Sequence, residues 1–129
     1  MSRIVLFTFF SSGGGAEYVF RELHKEFSKS NNCLLITIKK NNKYKIRNHI
    51  NLINQNSKNQ FLNFILYIIA FIKYIRIIKR FNPNIIISTL ILPNIINIIV
   101  GLIFIGKKII VREASSPITE INSTTNSKI

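Results

Sequence analysis

The sequence predicts an α/β domain, a parallel sheet with helices on both of its faces. Short, nearly continuous apolar segments rich in Ile and Val recur along the chain, which is typical of strands buried on both faces. Between them lie segments whose apolar residues recur with helical spacing. Because the two kinds of segment alternate, a parallel sheet is favoured over a half-exposed antiparallel one.

The first part of the chain predicts one strand–helix–strand unit. Residues 3–10 form a buried strand, the glycines after Ser12 break it, and a helix begins at Ala16. Apolar side chains from Ala16 to Phe27 line one face of this helix, and Glu17 belongs to the polar face. Residues 33–38 predict the second strand, joined to the first by a right-handed crossover.

The rest of the chain repeats the alternation. The predicted elements are a short strand at 49–53, a helix at 60–81, a strand at 84–88, a helix at 93–105 and a strand at 107–112. Asn82-Pro83 ends the long helix, because proline disfavours the helical conformation in the residue before it. Pro93 suits a first helical turn, and Gly106 suits a helix end. We expect one domain over residues 1–118 and a polar tail over residues 119–129.

Composition restricts the chemistry. The single cysteine, Cys33, excludes an intramolecular disulfide and a cysteine-based zinc site, and it suits a reducing cytoplasm. The absence of aspartate excludes an aspartyl nucleophile. We expect His24 and His49 to be solvated, and we expect no metal site and no cofactor. A net charge of +13 favours anionic partners, although Ile, Asn and Lys all have AT-rich codons, which explains the charge equally well.

The glycine turn is the most informative short motif. Gly13, Gly14 and Gly15 lie between a buried strand and a helix N-terminus, where the backbone can approach a phosphate or a hydroxyl-rich ligand. Glu17 follows in the first helical turn. The spacing matches neither a dinucleotide fingerprint nor a Walker A loop, and a purely structural turn is the alternative. Residues 112–113 (Arg-Glu) end the last strand, at the same edge of the sheet.

The long helix carries a basic, aromatic segment. Its apolar part is interrupted too early for a typical bilayer span, which needs about 20 apolar residues. Basic side chains beside aromatic ones can hold a helix at an anionic membrane surface, and cations at a helix C-terminus also complement the helix dipole without any membrane. The predicted membrane-contacting residues are Lys73, Arg76, Lys79 and Arg80.

Two segments resemble family 4 glycosyltransferases of the GT-B fold. Residues 3–27 (RIVLFTFFSSGGGAEYVFRELHKEF) are similar to the strand, GGAE-type loop and helix that open their N-terminal domain. Residues 81–117 (FNPNIIISTLILPNIINIIVGLIFIGKKIIVREASSP) are similar to a later stretch of the same domain that ends in Arg-Glu. Ala114 departs from the pattern, because many relatives have histidine or another polar residue at that place.

The resemblance implies a Rossmann-like, acceptor-side domain of an enzyme that transfers a sugar from a nucleotide-sugar donor. It assigns substrate binding to Gly13, Gly14, Gly15, Glu17, Arg112 and Glu113, and it assigns no catalytic residue. The family's donor-binding domain has no counterpart in these residues, so the nucleotide sugar would bind only with a second domain or a separate C-terminal half.

The implied acceptor is a sugar of a polysaccharide or a polyprenyl-linked sugar. The expected location is the cytoplasm, peripherally on the inner face of the plasma membrane. The alternatives are a non-catalytic basic α/β module that binds a membrane surface or nucleic acid, and a small integral membrane protein. We expect no sequence-specific nucleic-acid binding, because the chain lacks an RNP pattern and zinc-finger spacing.

Overall fold

The fold was analysed in a computed structural model of the 129-residue chain, which describes residues 1–10, 13–40, 45–55 and 57–113. The predicted polar tail and the end of the predicted domain at residue 118 lie outside the described residues, as does Ala114.

The described residues form a five-stranded, entirely parallel sheet. Its strand order is β3-β2-β1-β4-β5, so the fold is α/β and Rossmann-like, as predicted. The strands are β1 (Arg3–Thr8), β2 (Asn32–Lys39), β3 (His49–Ile53), β4 (Ile85–Thr89) and β5 (Lys108–Arg112), and the helices are α1 (Gly15–Phe27), α2 (Gln60–Phe81) and α3 (Ile91–Ile103).

Helix α1 covers one face of the sheet. Side chains of β1 and β2 pack beneath it, around a fully buried Phe20. Alternate residues of each strand point to this face, because side chains along a strand have a period of two. The buried residues of this layer are Ile4, Leu6, Phe20, Cys33 and Leu35.

Helices α2 and α3 cover the opposite face. Tyr74 of α2 stacks on Phe7 of β1, with ring centroids 4.2 Å apart and ring planes inclined by 18°. Val100 brings α3 into the same apolar cluster. This is the larger of the two core layers, and its buried members include Val5, Phe7, Ile36, Ile38, Tyr74, Ile78, Ile86 and Val100. Helices therefore lie on both faces, as the sequence predicts.

The element boundaries differ from the prediction by two residues in β1 and α3 and by at most one residue in the other elements. Strand β1 ends at Thr8 rather than at residue 10. Helix α3 begins at Ile91, because Leu90 turns the chain sharply after β4. Pro93 still falls within the first turn of the helix, where no amide donor is required. Leu90 has φ 74° and ψ 157°, a conformation that costs a residue with a side chain about 1–3 kcal/mol.

Helix α2 is, among the described residues, the one helix long and apolar enough to cross a membrane by length and composition alone. It has 22 residues and a mean hydropathy of 1.9, and 17% of its most apolar stretch is buried. Its inward side chains Ala70, Tyr74 and Ile78 pack on the sheet. Such packing is typical of a core helix, although much of its outer face is apolar as well.

The contact between α3 and β5 leaves no room for a side chain at Gly101. A Cβ atom there would lie 2.8 Å from Cγ1 of Ile109. We expect Gly101→Ala to lower the free energy of unfolding by about 1 kcal/mol in urea titrations, because the steric cost exceeds the gain in helix propensity. Gly15→Ala is the control: nothing lies within 4 Å of its Cβ, so its stability should equal or exceed the parent's. Equal stability of the two variants would contradict the close packing.

Candidate functional site

The strand order places a crevice at the carboxyl edge of the sheet. From β1 the chain crosses to β2 on one side, whereas from β4 it crosses to β5 on the other. The loops after β1 and β4 therefore diverge, and ligands of open α/β sheets bind at such a point. We call this region the switch-point crevice. Its candidate residues are Thr8, Gly13, Gly14, Gly15, Glu17, Thr89 and Arg112.

The glycine turn opens helix α1 beside the crevice. Gly13 has φ +136°, which a residue with a side chain rarely adopts. Gly14 is the N-cap and supplies no side-chain hydrogen bond to the first turn. The first intrahelical bond runs from the Tyr18 amide to the Gly14 carbonyl at 3.1 Å. Gly14 thus leaves the amides of the first turn without an N-cap side chain, at the positive end of the helix dipole.

Glu17 lies on the buried side of α1, which corrects the prediction that it belongs to the polar face. Its residue surface is 8% exposed. The buried residues of α1 are Glu17, Phe20 and His24, which lie along the sheet-facing side of the helix. Of these three residues, Glu17 lies nearest the switch-point crevice. Its carboxylate folds back over the turn and lies close to Gly14. A Cβ atom added to Gly14 would lie 2.7 Å from Glu17 Oε2. A carboxylate in a first turn also stabilises the helix dipole.

Thr8 and Thr89 end the two strands that border the crevice. Both side chains are completely buried, and neither Oγ1 has a hydrogen-bond partner within the described part of the chain. In the register of β1 and β4, Phe7 lies opposite Ser88, so Thr8 and Thr89 come next to each other. Strand alternation turns both toward α1, since Leu6 and Ile87 pack in that layer. These two threonines are absent from the residues that the sequence predicts at the site, although each threonine lies at the end of an apolar strand.

Arg112 extends this polar row across β5. Thr89 and Arg112 are partners in the parallel register, so their side chains leave the sheet on the same face. Arg112 is exposed, and its carbonyl accepts a hydrogen bond from Asn94 Nδ2 at 3.1 Å. Glu113 follows and is exposed too. The structure therefore brings Arg112 and Glu113 to the same edge as the glycine turn and Glu17.

A buried polar network under α3 holds the ends of β4 and β5. Ser88 Oγ donates to Asn94 Oδ1 at 2.8 Å and accepts from Asn97 Nδ2 at 2.9 Å. Asn94 also bonds the Arg112 carbonyl, so one side chain ties two adjacent strands to the helix. These bonds fix the edge of the sheet that carries Thr89 and Arg112.

Both histidines are less exposed than predicted. His24 is 4% exposed, because it continues the sheet-facing stripe of α1. Burial lowers its pKa below the usual range, opposed by a hydrogen bond to the Cys33 backbone. His49 is half-buried, and its Nε2 lies 2.9 Å from Thr37 Oγ1. Burial, and then the nearby His24, lower the pKa of His49. Burial raises the pKa of Cys33 to about 11, so its thiol stays protonated.

The four predicted membrane-contacting residues are all exposed on α2. Lys73 Nζ donates to the Leu52 carbonyl at 3.4 Å, and Arg76, Lys79 and Arg80 extend along the outer face of the helix. Arg76, Lys79 and Arg80 lie toward the amino edge of the sheet, away from the switch-point crevice, because α2 runs antiparallel to the strands. Lys73 lies nearer the middle of α2, beside the carboxyl end of β3. The other three residues therefore form a separate surface.

The sequence matches no protein-family model, and no curated protein matches it significantly. Within the described ranges, no three His, Cys or Glu side chains come together as a metal site would require. Within the described part of the chain, the crevice offers two hydroxyls, the carboxylates of Glu17 and Glu113, one guanidinium and a set of helix N-terminal amides.

The buried hydroxyl of Thr8 makes a testable difference to stability. We expect Thr8→Val to raise the free energy of unfolding by about 1 kcal/mol, because it replaces an unpartnered buried hydroxyl with a methyl group of similar size. Thr37→Val is the matched control. The Thr37 hydroxyl bonds both His49 and Asn51, so its loss should lower stability by about 1–2 kcal/mol in the same urea titrations. A comparable loss in Thr8→Val would show that its hydroxyl is bonded in solution.

Proposed function

We propose that the chain is the acceptor-side domain of a GT-B glycosyltransferase that transfers a sugar from a nucleotide-sugar donor to a polysaccharide or lipid-linked acceptor. One observation carries the proposal: Thr8 and Thr89 are buried without partners among the described residues at the switch-point crevice, beside Glu17 and the glycine turn. Unpartnered buried hydroxyls cost stability, so their place at the ligand-binding edge of an α/β sheet supports a binding role.

The crevice suits a sugar acceptor in its chemistry. A sugar hydroxyl can donate to the Glu17 carboxylate, which lies beside the buried Thr8 and Thr89. Arg112 and the first-turn amides of α1 suit the phosphates of a polyprenyl-linked acceptor or of a donor. The donor itself would be bound by a second domain or a separate C-terminal half, since the described residues offer no second nucleotide-binding unit.

A substitution at Glu17 tests acceptor binding. The probe is an N-acetylhexosamine linked through diphosphate to farnesol, a short analogue of a polyprenyl-linked acceptor. We expect Glu17→Gln to weaken its binding about tenfold in isothermal titration, because the neutral amide loses one charged acceptor. Glu22→Gln, an exposed carboxylate on the same helix that pairs with Lys25 at 2.7 Å, should bind like the parent.

Two results would contradict the proposal. Equal affinity of both variants would remove the crevice as the acceptor site. Robust sugar transfer by the 129-residue chain alone, from any nucleotide sugar, would contradict the dependence on a second domain.

A second role, contact with an anionic membrane surface, is favoured by a specific feature. The outer faces of α2 and α3 expose many large apolar side chains, and an apolar groove of about 280 Å³ runs between the two helices. Extensive exposed apolar surface marks an interaction site. We call it the α2–α3 surface; its residues include Phe61, Phe64, Ile68, Ile72, Ile91, Ile95, Ile98 and Leu102.

The basic residues of α2 complement this surface. At 100° per residue, Arg76 and Lys79 fall on the same outer face as Ile68 and Ile72. Apolar side chains followed by cations on one face suit the acyl boundary and the headgroups of an anionic leaflet. We infer a peripheral location on the inner face of the plasma membrane, in the cytoplasm, where a lipid-linked acceptor would be found.

Vesicle flotation tests this contact with charge-matched variants. We expect the Lys73→Gln, Arg76→Gln, Lys79→Gln, Arg80→Gln variant to lose binding to phosphatidylglycerol-containing vesicles by a hundredfold or more, at about 1 kcal/mol per cation. The control replaces Lys25, Lys29, Lys45 and Arg47 by Gln and removes the same charge from other elements. It should retain most of the binding. An equal loss in both variants would indicate attraction by net charge alone and contradict the docking surface.

A further inference from the structure

A second cleft lies at the amino edge of the sheet, opposite the switch-point crevice. Its volume is about 700 Å³, within the range of small-molecule pockets. The C-terminal half of α1 forms one wall, and the starts of β1 and β2 with residues 45–48 form the other. We call it the amino-edge cleft. The residues that matter are Arg21, His24, Lys25, Lys45 and Arg47.

The charged side chains that line this cleft are all basic. Lys25 is neutralised by Glu22, whose Oε1 lies 2.7 Å from its Nζ. Arg21 lies over the Tyr18 ring, with Cζ 5.4 Å from the ring centroid. Lys45 and Arg47 are exposed on the opposite wall. The cleft therefore holds a net positive charge, which favours an anionic ligand.

His24 gives the cleft a second, independent feature. It lines the cleft although only 4% of its surface is exposed, and its Nε2 has no hydrogen-bond partner in the described segments. The hydrogen bond to the Cys33 backbone must then involve Nδ1. With its proton on Nδ1, a neutral imidazole presents Nε2 as an acceptor. Burial keeps the pKa of His24 below its usual range, which favours this neutral form.

We propose that the amino-edge cleft binds a soluble small molecule that carries both a phosphate group and hydroxyl groups. The phosphate lies between Lys45 and Arg47, and a hydroxyl donates to Nε2 of His24. The volume of the cleft favours a small molecule over an extended nucleic acid, whose backbone needs a continuous basic groove. This site is separate from the acceptor crevice and does not depend on the proposed glycosyl transfer.

Titration of the isotopically labelled chain with ribose 5-phosphate tests the site. We expect saturable binding that shifts the His24 ring resonances, and a weaker response to inorganic phosphate, which lacks the sugar hydroxyls. The Lys45→Gln, Arg47→Gln variant should bind ribose 5-phosphate about tenfold more weakly or worse, because charged hydrogen bonds are lost. Lys79→Gln, Arg80→Gln removes the same charge from the other face and should bind like the parent.

Four outcomes would overturn the proposal. The first is that neither probe binds, and the second is that a probe binds without moving the His24 resonances. The third is that the two variants bind ribose 5-phosphate with equally weakened affinity. The fourth is that the Lys45→Gln, Arg47→Gln variant loses binding to phosphatidic-acid vesicles. The last would assign the cleft to a lipid headgroup instead of a soluble phosphate. Parent-like His24 resonances in the ligand-free variants check that both variants are folded, so that weaker binding can be assigned to the removed cations.

Discussion

The central strand β1 is the constraint on which the rest of the structure depends. It is hydrogen-bonded along both edges, to β2 and to β4, and Val5, Leu6 and Phe7 are completely buried. Such a strand requires apolar layers on both faces, because its side chains alternate between them. Phe20 of α1 supplies one layer, and Tyr74 of α2 supplies the other by stacking on Phe7. The order of the remaining strands, and therefore the position of the crevice, follows from this arrangement.

The buried polar groups at the carboxyl ends of β1 and β4 fall into two sets. Under α3, Ser88 bonds both Asn94 and Asn97, and Asn94 also bonds the Arg112 carbonyl of the neighbouring strand. On the α1 side, Thr8 and Thr89 bond nothing that the structure describes. A bonded network stabilises and fixes the edge, whereas unpartnered hydroxyls cost free energy. Asn97 Oδ1 in that network also lacks a partner among the described residues, so each face of this edge carries an unpartnered buried polar atom.

The sequence predicts the fold well because strand and helix periodicities are strong and the connections are short. It predicts Glu17 and Arg112 at one edge, since carboxyl ends of parallel strands and the following helix starts meet there. It fails where tertiary context overrides polarity. Glu17 and His24 are polar residues on the sheet-facing stripe of α1, and periodicity alone assigned them to solvent. It also cannot tell whether the second apolar face of a helix such as α2 is buried, because that depends on the neighbours it packs against.

The direction of the helices connects the two proposed roles. Helices α2 and α3 both begin at the carboxyl edge of the sheet, directly after β3 and β4. Their first exposed apolar side chains, Phe61, Phe64 and Ile91, therefore lie near the switch-point crevice, and the cations at the end of α2 lie at the far edge. On a bilayer, the apolar end would enter the acyl boundary while the cations stay with the headgroups. A lipid-linked sugar would then emerge beside Glu17 and the glycine turn, so membrane docking and acceptor binding would use a single orientation of the domain.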